Sequence, residues 1–404
     1  MKLSGLKFVD DLDLRGNRVF MRADFNVPLR DGEVSDDMRI RSALPTLRYA
    51  FDRADKLILA SHLGRPAGER DDSLSLEPVG TRIAELLDCE VVLPEDLTGE
   101  SVHTLIDELD SNQVMLLENL RFDPGERDGN REFAERLADL ADVYLNDAFG
   151  ALHRAHASTY TMAQFFDRGD RGAGYLVQSE LKHLAGLLDD PNRPMTAIMG
   201  GVKVSDKIRV LEKIARRVDN LLVGGAMAYT FLRAKDTAVG DSRVEEEFID
   251  TATSILETAD EHDTDVILPL DHVVAKSLDA EKSEIRTTND VSIKAGLSGF
   301  DIGPNTVDAF SEIIRSSRTV FWNGPLGVFE REPYDKGTAE IAQTLALAPP
   351  HSVVGGGDTG AAVRKAGVAE QIDHVSTGGG AALELIRGRA LPGLEALQPR
   401  HDFS

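Results

Sequence analysis

The strongest constraint in the sequence is an alternation that runs from end to end. A short apolar run is followed by a polar or glycine-rich turn and then by a helical pattern. Apolar runs occur at 19–27, 56–61, 113–119 and 141–147, and again at 196–201, 220–225, 265–270, 319–324, 352–357 and 374–380. Between them lie segments such as SLEPVGTRIAELL and REFAERLADLA, whose apolar positions recur at helical spacing. Strands that are apolar throughout and separated by helices read as parallel sheets covered on both faces. The expected fold class is α/β, with two doubly wound, Rossmann-like parallel-sheet domains joined by a helix and a cleft between them. At 404 residues the chain is long for one domain and sufficient for two. The stretch 174–190 reads as one amphipathic linker helix, so the expected domains are 1–173 and 191–388.

Charge narrows the function classes. Acidic residues number 69 against 45 basic, a formal net charge of −24, with 41 Asp to 28 Glu and only 13 Lys to 32 Arg. An Asp-rich, Lys-poor composition predicts a surface suited to concentrated salt. The same field argues against a nucleic-acid or anionic-membrane binder, which needs a large basic face. The single cysteine, Cys89, excludes an intramolecular disulfide and is expected as a small filler in a helix. Neither a signal-peptide pattern nor a membrane-length apolar run is visible, and the expected location is cytoplasmic.

Ligands of open α/β sheets bind beyond the carboxyl ends of the strands. In the first half those ends and the following loops carry Arg22, Asp24, Asn26, Arg39, His62, Arg65, Arg121, His153, Arg154 and His156. Gathering cations in one place costs self-repulsion, and an anionic ligand held by guanidinium forks offsets it. Asp24 and Asp147 serve there either to orient the arginines or as bases. The second half carries glycines instead, at 200–201, 224–225, 324, 355–357 and 378–380. Glycine lets backbone N–H groups approach a nucleotide, although tight turns account for about half of such positions. Lys203 and Lys207 follow the first glycine pair, and a helix starting there would place both ammonium groups on one face. Asp358, after the triple glycine, suits a magnesium ion bridging phosphates. No Walker A loop is present, and the G-x-G-x-x-G at 355–360 lacks the acidic residue that a dinucleotide site wants at the next strand end. His153 and His156 lack further metal ligands nearby, and Trp322 is expected in the core.

These segments resemble one family. RADFNVPLRDGEVSDDMRIRSALPTL (22–47), SHLGRP (61–66), ENLRFDPGE (118–126) and NDAFGALHRAHAS (146–158) look like the substrate-side signatures of phosphoglycerate kinases. MGGVKVSDKI (199–208), GGAMAYTF (224–231), FWNGPLGVFE (321–330), GGGDT (355–359) and STGGGAALEL (376–385) look like their nucleotide-side signatures. The resemblance implies reversible phosphoryl transfer between 1,3-bisphosphoglycerate and ADP, giving 3-phosphoglycerate and ATP, with Mg2+ as cofactor. It makes the first domain the phosphoglycerate-binding one and the second the nucleotide-binding one. Asp24, Asn26, Arg39, His62, Arg65, Arg121 and Arg154 would hold the phosphoglycerate. Arg39 and Lys203 would flank the moving phosphoryl group, and Lys207 would hold nucleotide phosphate. Gly201, Gly224, Gly225, Asn323, Glu330, Gly356, Gly357, Asp358, Thr359, Gly378 and Gly379 would complete the nucleotide site, with Asp358 meeting the metal. By the same resemblance the tail 389–404 returns to the first domain, and the expected state is a monomer acting after domain closure. Ala226, Val202, Asn305 and Leu152 depart from the family's usual residues, and Ala226 bears on the choice of base.

Overall fold

Each expected apolar run forms a strand, and most are covered on both faces, the edge strand Asp265–Ile267 being only half-buried. A computed structural model describes residues 5–66, 68–348 and 350–398. The described chain falls into two compact units. One runs to Ala185 and takes in the segment from Gly388, and the other spans Gly186–Arg387.

The first unit is built on a six-stranded parallel sheet. Its strands are β1 (Arg18–Arg22), β2 (Lys56–Ala60), β3 (Glu90–Val92), β4 (Gln113–Leu116), β5 (Val143–Asn146) and β6 (Arg171–Ala173). They lie in the order β3-β4-β2-β1-β5-β6. The chain works outward on one side of β1 and then crosses to the other, so the order reverses between β1 and β5. Val19, Phe20 and Met21 of β1 have no exposed surface. Their neighbours on β2 and β5 are in parallel register, with Phe20 beside Ile58 and Tyr144. The helix Met38–Phe51 lies on one face, burying Ile40, Leu44 and Leu47.

The second unit repeats the plan with β7 (Met195–Met199), β8 (Asn220–Val223), β9 (Asp265–Ile267), β10 (Thr319–Asn323), β11 (His351–Gly355) and β12 (His374–Val375). The order β9-β8-β7-β10-β11-β12 places its reversal between β7 and β10. Trp322 of β10 is fully buried in this core, as expected. A smaller antiparallel sheet of His272–Ala275, Arg286–Thr287 and Ser298–Ile302 accompanies it and was not expected.

Two local features differ from expectation. The helix expected over 174–190 spans only Tyr175–Leu184 and ends where Ala185 turns extended and Gly186 takes φ +81°. It packs on the helix Met38–Phe51 of its own unit. Cys89 is buried but not helical, because Asp88 closes the helix Glu77–Leu87 in the left-handed region. Beyond Gly388, the helix Pro392–Leu397 packs on the first unit, where Gly393 N donates to the carbonyl of Leu152 at 2.9 Å. The last residues of the tail, 399–404, lie outside the described residues. Among the described residues no helix is long and apolar enough to cross a membrane.

Candidate functional site

In the first unit the reversal between β1 and β5 is occupied by a buried charge network. Arg22 ends β1 with no exposed surface. Its Nε donates to Ser158 Oγ at 2.8 Å, one Nη donates to the carbonyl of Ala23, and Nη2 lies 3.1 Å from His62 Nδ1. Glu126, equally buried, stands 3.8 Å from Arg22 and accepts from both the N–H and the hydroxyl of Ser158. A guanidinium this deep is costly unless its donors and charge are met, and these contacts meet them.

The histidines respond to that environment. Burial holds the His62 pKa well below its ordinary value, and the guanidiniums of Arg22, Arg121 and Arg39 push the same way. Burial first, and then Arg22, Arg121 and Arg154, lower His156 to about 3. His156 lies 3.9 Å from Glu126, but the desolvated ring is neutral at pH 7 and this contact is not an ion pair.

Above the network sit the expected substrate groups. Arg39, in the first turn of the helix Met38–Phe51, donates to Asp24 Oδ2 at 2.8 Å. Asp24 thereby orients an arginine, one of the two roles left open for it. Asn26 Oδ1 accepts from Gly64 N at 2.8 Å, and Arg121 Nη1 donates to the Gly64 carbonyl at 2.6 Å. Arg121 Nε is buried without a hydrogen-bond partner, and burial lowers this arginine's pKa to about 10. A buried donor without a partner is unusual enough to mark a site. Arg65 and Arg154 are exposed on the neighbouring loops, and Arg154 Nε donates to His153 Nε2 at 3.1 Å. Asp147 is different. It accepts from the N–H of Val177 at the start of the helix Tyr175–Leu184, and burial raises its pKa to about 6.

The second unit places a lysine at its reversal. Lys207 Nζ donates to the carbonyls of Gly200, after β7, and Asn323, at the end of β10, at 2.7 and 2.9 Å. Burial lowers its pKa to about 8, against the raising effect of Asp358 and Asp206. Lys203 does not share its helix face. The helix begins only at Ile208, and Lys203 stands exposed in the preceding loop. Glu245 holds that loop by accepting from the N–H groups of Val204 and Ser205 and from the Ser205 hydroxyl. Sequence reasoning missed Glu245 because it sits in the run EEEF, which reads as a solvated face. Glu126 and Ser158 were missed because neither type stands out at its position.

The glycines sort into two kinds. A Cβ on Gly225 would stand 2.6 Å from the Gly201 backbone, and those on Gly200 and Gly324 would strike each other's main chain. Gly201 N donates to Pro325 O and Gly224 N to Met199 O. These residues permit strands and loops to touch. Gly357 and Gly379 face open space, a Cβ on Gly356 would stand 3.0 Å from the Asn323 amide, and Gly378 N donates to Ser376 Oγ. Asn323 and Thr359 are buried. The Asn323 amide donates to Gly355 O at 2.8 Å, and Thr359 Oγ1 accepts from Gly324 N at 2.6 Å. Asp358 lies exposed in the first turn of the helix Gly357–Lys365, and Glu330 is exposed in a turn. Among the described residues no group of three His, Cys, Asp or Glu is placed to hold a metal.

A family model described as phosphoglycerate kinase matches residues 9–389. The chain belongs to the phosphoglycerate kinase family. It is 51% identical over 396 residues to a phosphoglycerate kinase from Anaeromyxobacter sp. (strain K), covering 97% of this chain and 99% of the relative. Among solved structures, phosphoglycerate kinase from Coxiella burnetii superposes with a TM-score of 0.84 at 38% identity, over 97% of this chain and 98% of the other. That from Pyrococcus horikoshii OT3 gives 0.85 at 31% identity, over 96% and 98%. The chain is thus a phosphotransferase with a carboxyl group as acceptor, acting on small molecules, with ATP and ADP as the family's nucleotides.

Proposed function

We propose that the chain catalyses reversible, Mg2+-dependent phosphoryl transfer between 1,3-bisphosphoglycerate and ADP, yielding 3-phosphoglycerate and ATP. The observation that carries this is the division of chemistry: a guanidinium and histidine network at one sheet reversal, and Lys207 with Asp358 in reach at the other.

Phosphoglycerate is held by Asp24, Asn26, Arg39, His62, Arg65, Arg121 and Arg154. Arg39, steadied by Asp24, and Lys203 flank the phosphoryl group in flight. Lys207 spends two of its three donors on Gly200 and Asn323, leaving one for nucleotide phosphate. Gly357 and Gly379 offer open backbone to the nucleotide, Gly201, Gly224, Gly225, Gly356 and Gly378 shape its floor, and Glu330 meets the ribose. Asn323 and Thr359 act from below by fixing the loop after β10. In the ATP-consuming direction the attacking group is already a carboxylate, so no general base is needed. Alignment and neutralisation of charge carry the rate.

Asp358 suits Mg2+ because a hard cation of this kind is held by one or two carboxylates together with substrate phosphates and water. When bound, the ion would supply charge neutralisation on the nucleotide phosphates. In-line transfer also requires the two half-sites to be brought together by domain closure. The protein acts in the cytoplasm as a monomer. A coupled assay with 3-phosphoglycerate, ATP and Mg2+ across a salt series tests the reading. Absence of turnover at every salt concentration, or faster turnover with another small carboxylate, would overturn it.

A further inference from the structure

Away from both sheet reversals, the second unit carries a groove of about 760 Å³ between the segment 208–217 and the helix Ile249–Glu261. One wall is cationic, formed by Arg209, Lys213, Arg216 and Arg217. The segment RVLEKIARR (209–217) holds four cations against one acid in a chain whose net charge is −24. The opposite wall carries Asp250 and the hydroxyls of Thr251, Ser254 and Thr258, which helical spacing sets on one face, and Glu212 stands among the cations.

Of these four cations, Lys213 is the one that meets an acid among the described residues, Asp189 at 3.7 Å. Arg193, close by, is paired with Asp219 at 2.7 Å, and Lys213 is pinned by the Ile386 carbonyl at 2.9 Å. Among the described residues, Arg209, Arg216 and Arg217 have no ion pair at all. In a chain with so many carboxylates, three unpaired guanidiniums beside one groove concentrate positive potential where a small anion gains most from it.

We propose that this groove binds a short linear oligophosphate. Guanidinium forks match phosphate oxygens bidentately, and the hydroxyls of Thr251 and Thr258 add donors, that of Ser254 being spent on the Asp250 carbonyl. Thr251 to Thr258 spans about 10 Å of helix, the reach of a few linked phosphates. A long polyanion is disfavoured, because beyond the groove it meets the acidic surface. A nucleobase finds little to stack on, since Ile255 is the one aliphatic residue lining the groove among those described.

Triphosphate is the probe, titrated calorimetrically as its preformed magnesium complex into full-length protein saturated with ADP, Mg2+ and 3-phosphoglycerate, so that both proposed substrate sites are filled. Sodium chloride at matched ionic strength is the control. Binding of one equivalent is expected, weakened at least tenfold in R209Q/R216Q/R217Q, whose kinase turnover should be unchanged. T251V/T258V provides a second variant that leaves the charges in place, and it should weaken binding several-fold. No binding to the ADP-saturated protein, equal binding by the triple variant, or full competition by chloride would overturn the proposal. The kinase assay is read separately, so failure of the groove and failure of the proposed activity are distinguishable.

Discussion

Arg22 Nη2 stands 3.1 Å from Nδ1 of His62, both groups buried at the end of β1. A guanidinium only donates, so His62 Nδ1 must accept and its proton must sit on Nε2. Under the proposed function, His62 would meet substrate as a neutral N–H donor. Nitrogen NMR of labelled protein should show the Nε2–H tautomer and no protonation at pH 5.5. A His62 ring that titrates near 6.5 would contradict the geometry.

Burial of histidines in both units sets a stability trend. His156 and His272 are lowered to about 3 and about 4 by burial, and His62 is lowered as well. Between the unfolded value near 6.5 and these folded values the unfolded chain binds more protons. Stability is then full above about 6.5 and falls as pH drops, by about 1.4 kcal/mol per pH unit for each such histidine. Denaturant melts from pH 7 to pH 5 should show this decline, and it should be shallower in His272→Gln.

Asp147 has the opposite sign. Its folded pKa of about 6 lies above its ordinary 3.8, so the folded state binds the extra proton between those values. Its contribution is present below about 3.8 and is lost as pH rises to about 6. Asp147→Asn removes that loss, and the variant's stability relative to the parent should improve from pH 4 to pH 6 and then level off. A constant difference across this range would show that Asp147 does not titrate there.

Lys203 and Lys207 separate chemistry from architecture. Lys203 is exposed, so Lys203→Ala should lower kcat by roughly 10²–10³ while leaving the melting transition unchanged. Lys207→Ala should lower kcat and also cost about 1 kcal/mol of stability, because Gly200 and Asn323 lose a shared donor. Steady-state kinetics and urea titration of both variants check the contrast.

Salt gives the remaining test. Near 1 M the Debye length shrinks to about 3 Å, screening long-range repulsion between an acidic surface and anionic substrates while contact pairs persist. KM for 3-phosphoglycerate should stay level or fall as potassium chloride is raised. A steep rise from low salt upward would remove the argument that the composition is a salt adaptation.

Ten of the twelve strands of the parallel sheets were legible, helped by unbroken runs such as VFM and LIL, but the three-residue strands Glu90–Val92 and Arg171–Ala173 were not, being too short to form such a run. The small antiparallel sheet was not, since its strand Arg286–Thr287 is exposed and has no apolar run to announce it. The cations of the first unit could be placed at strand ends from the sequence. Their support could not, because Glu126 and Ser158 reach Arg22 across more than 100 residues of chain. The two lysines were seen as a pair, but the helix begins only at Ile208, and Glu245 holds the loop between them.

The seam of glycines between β7 and β10 changes how a mutational scan of this protein should be read. At Gly200, Gly225 and Gly324 the neighbouring main chain already occupies the space a side chain would need. Intolerance at these three positions reports the closure of the sheet, whether or not any nucleotide touches them. Gly357 has room and an ordinary backbone conformation, so its sensitivity to alanine is the one that would report an occupant, whereas Gly379 at φ +49° would be strained by any side chain.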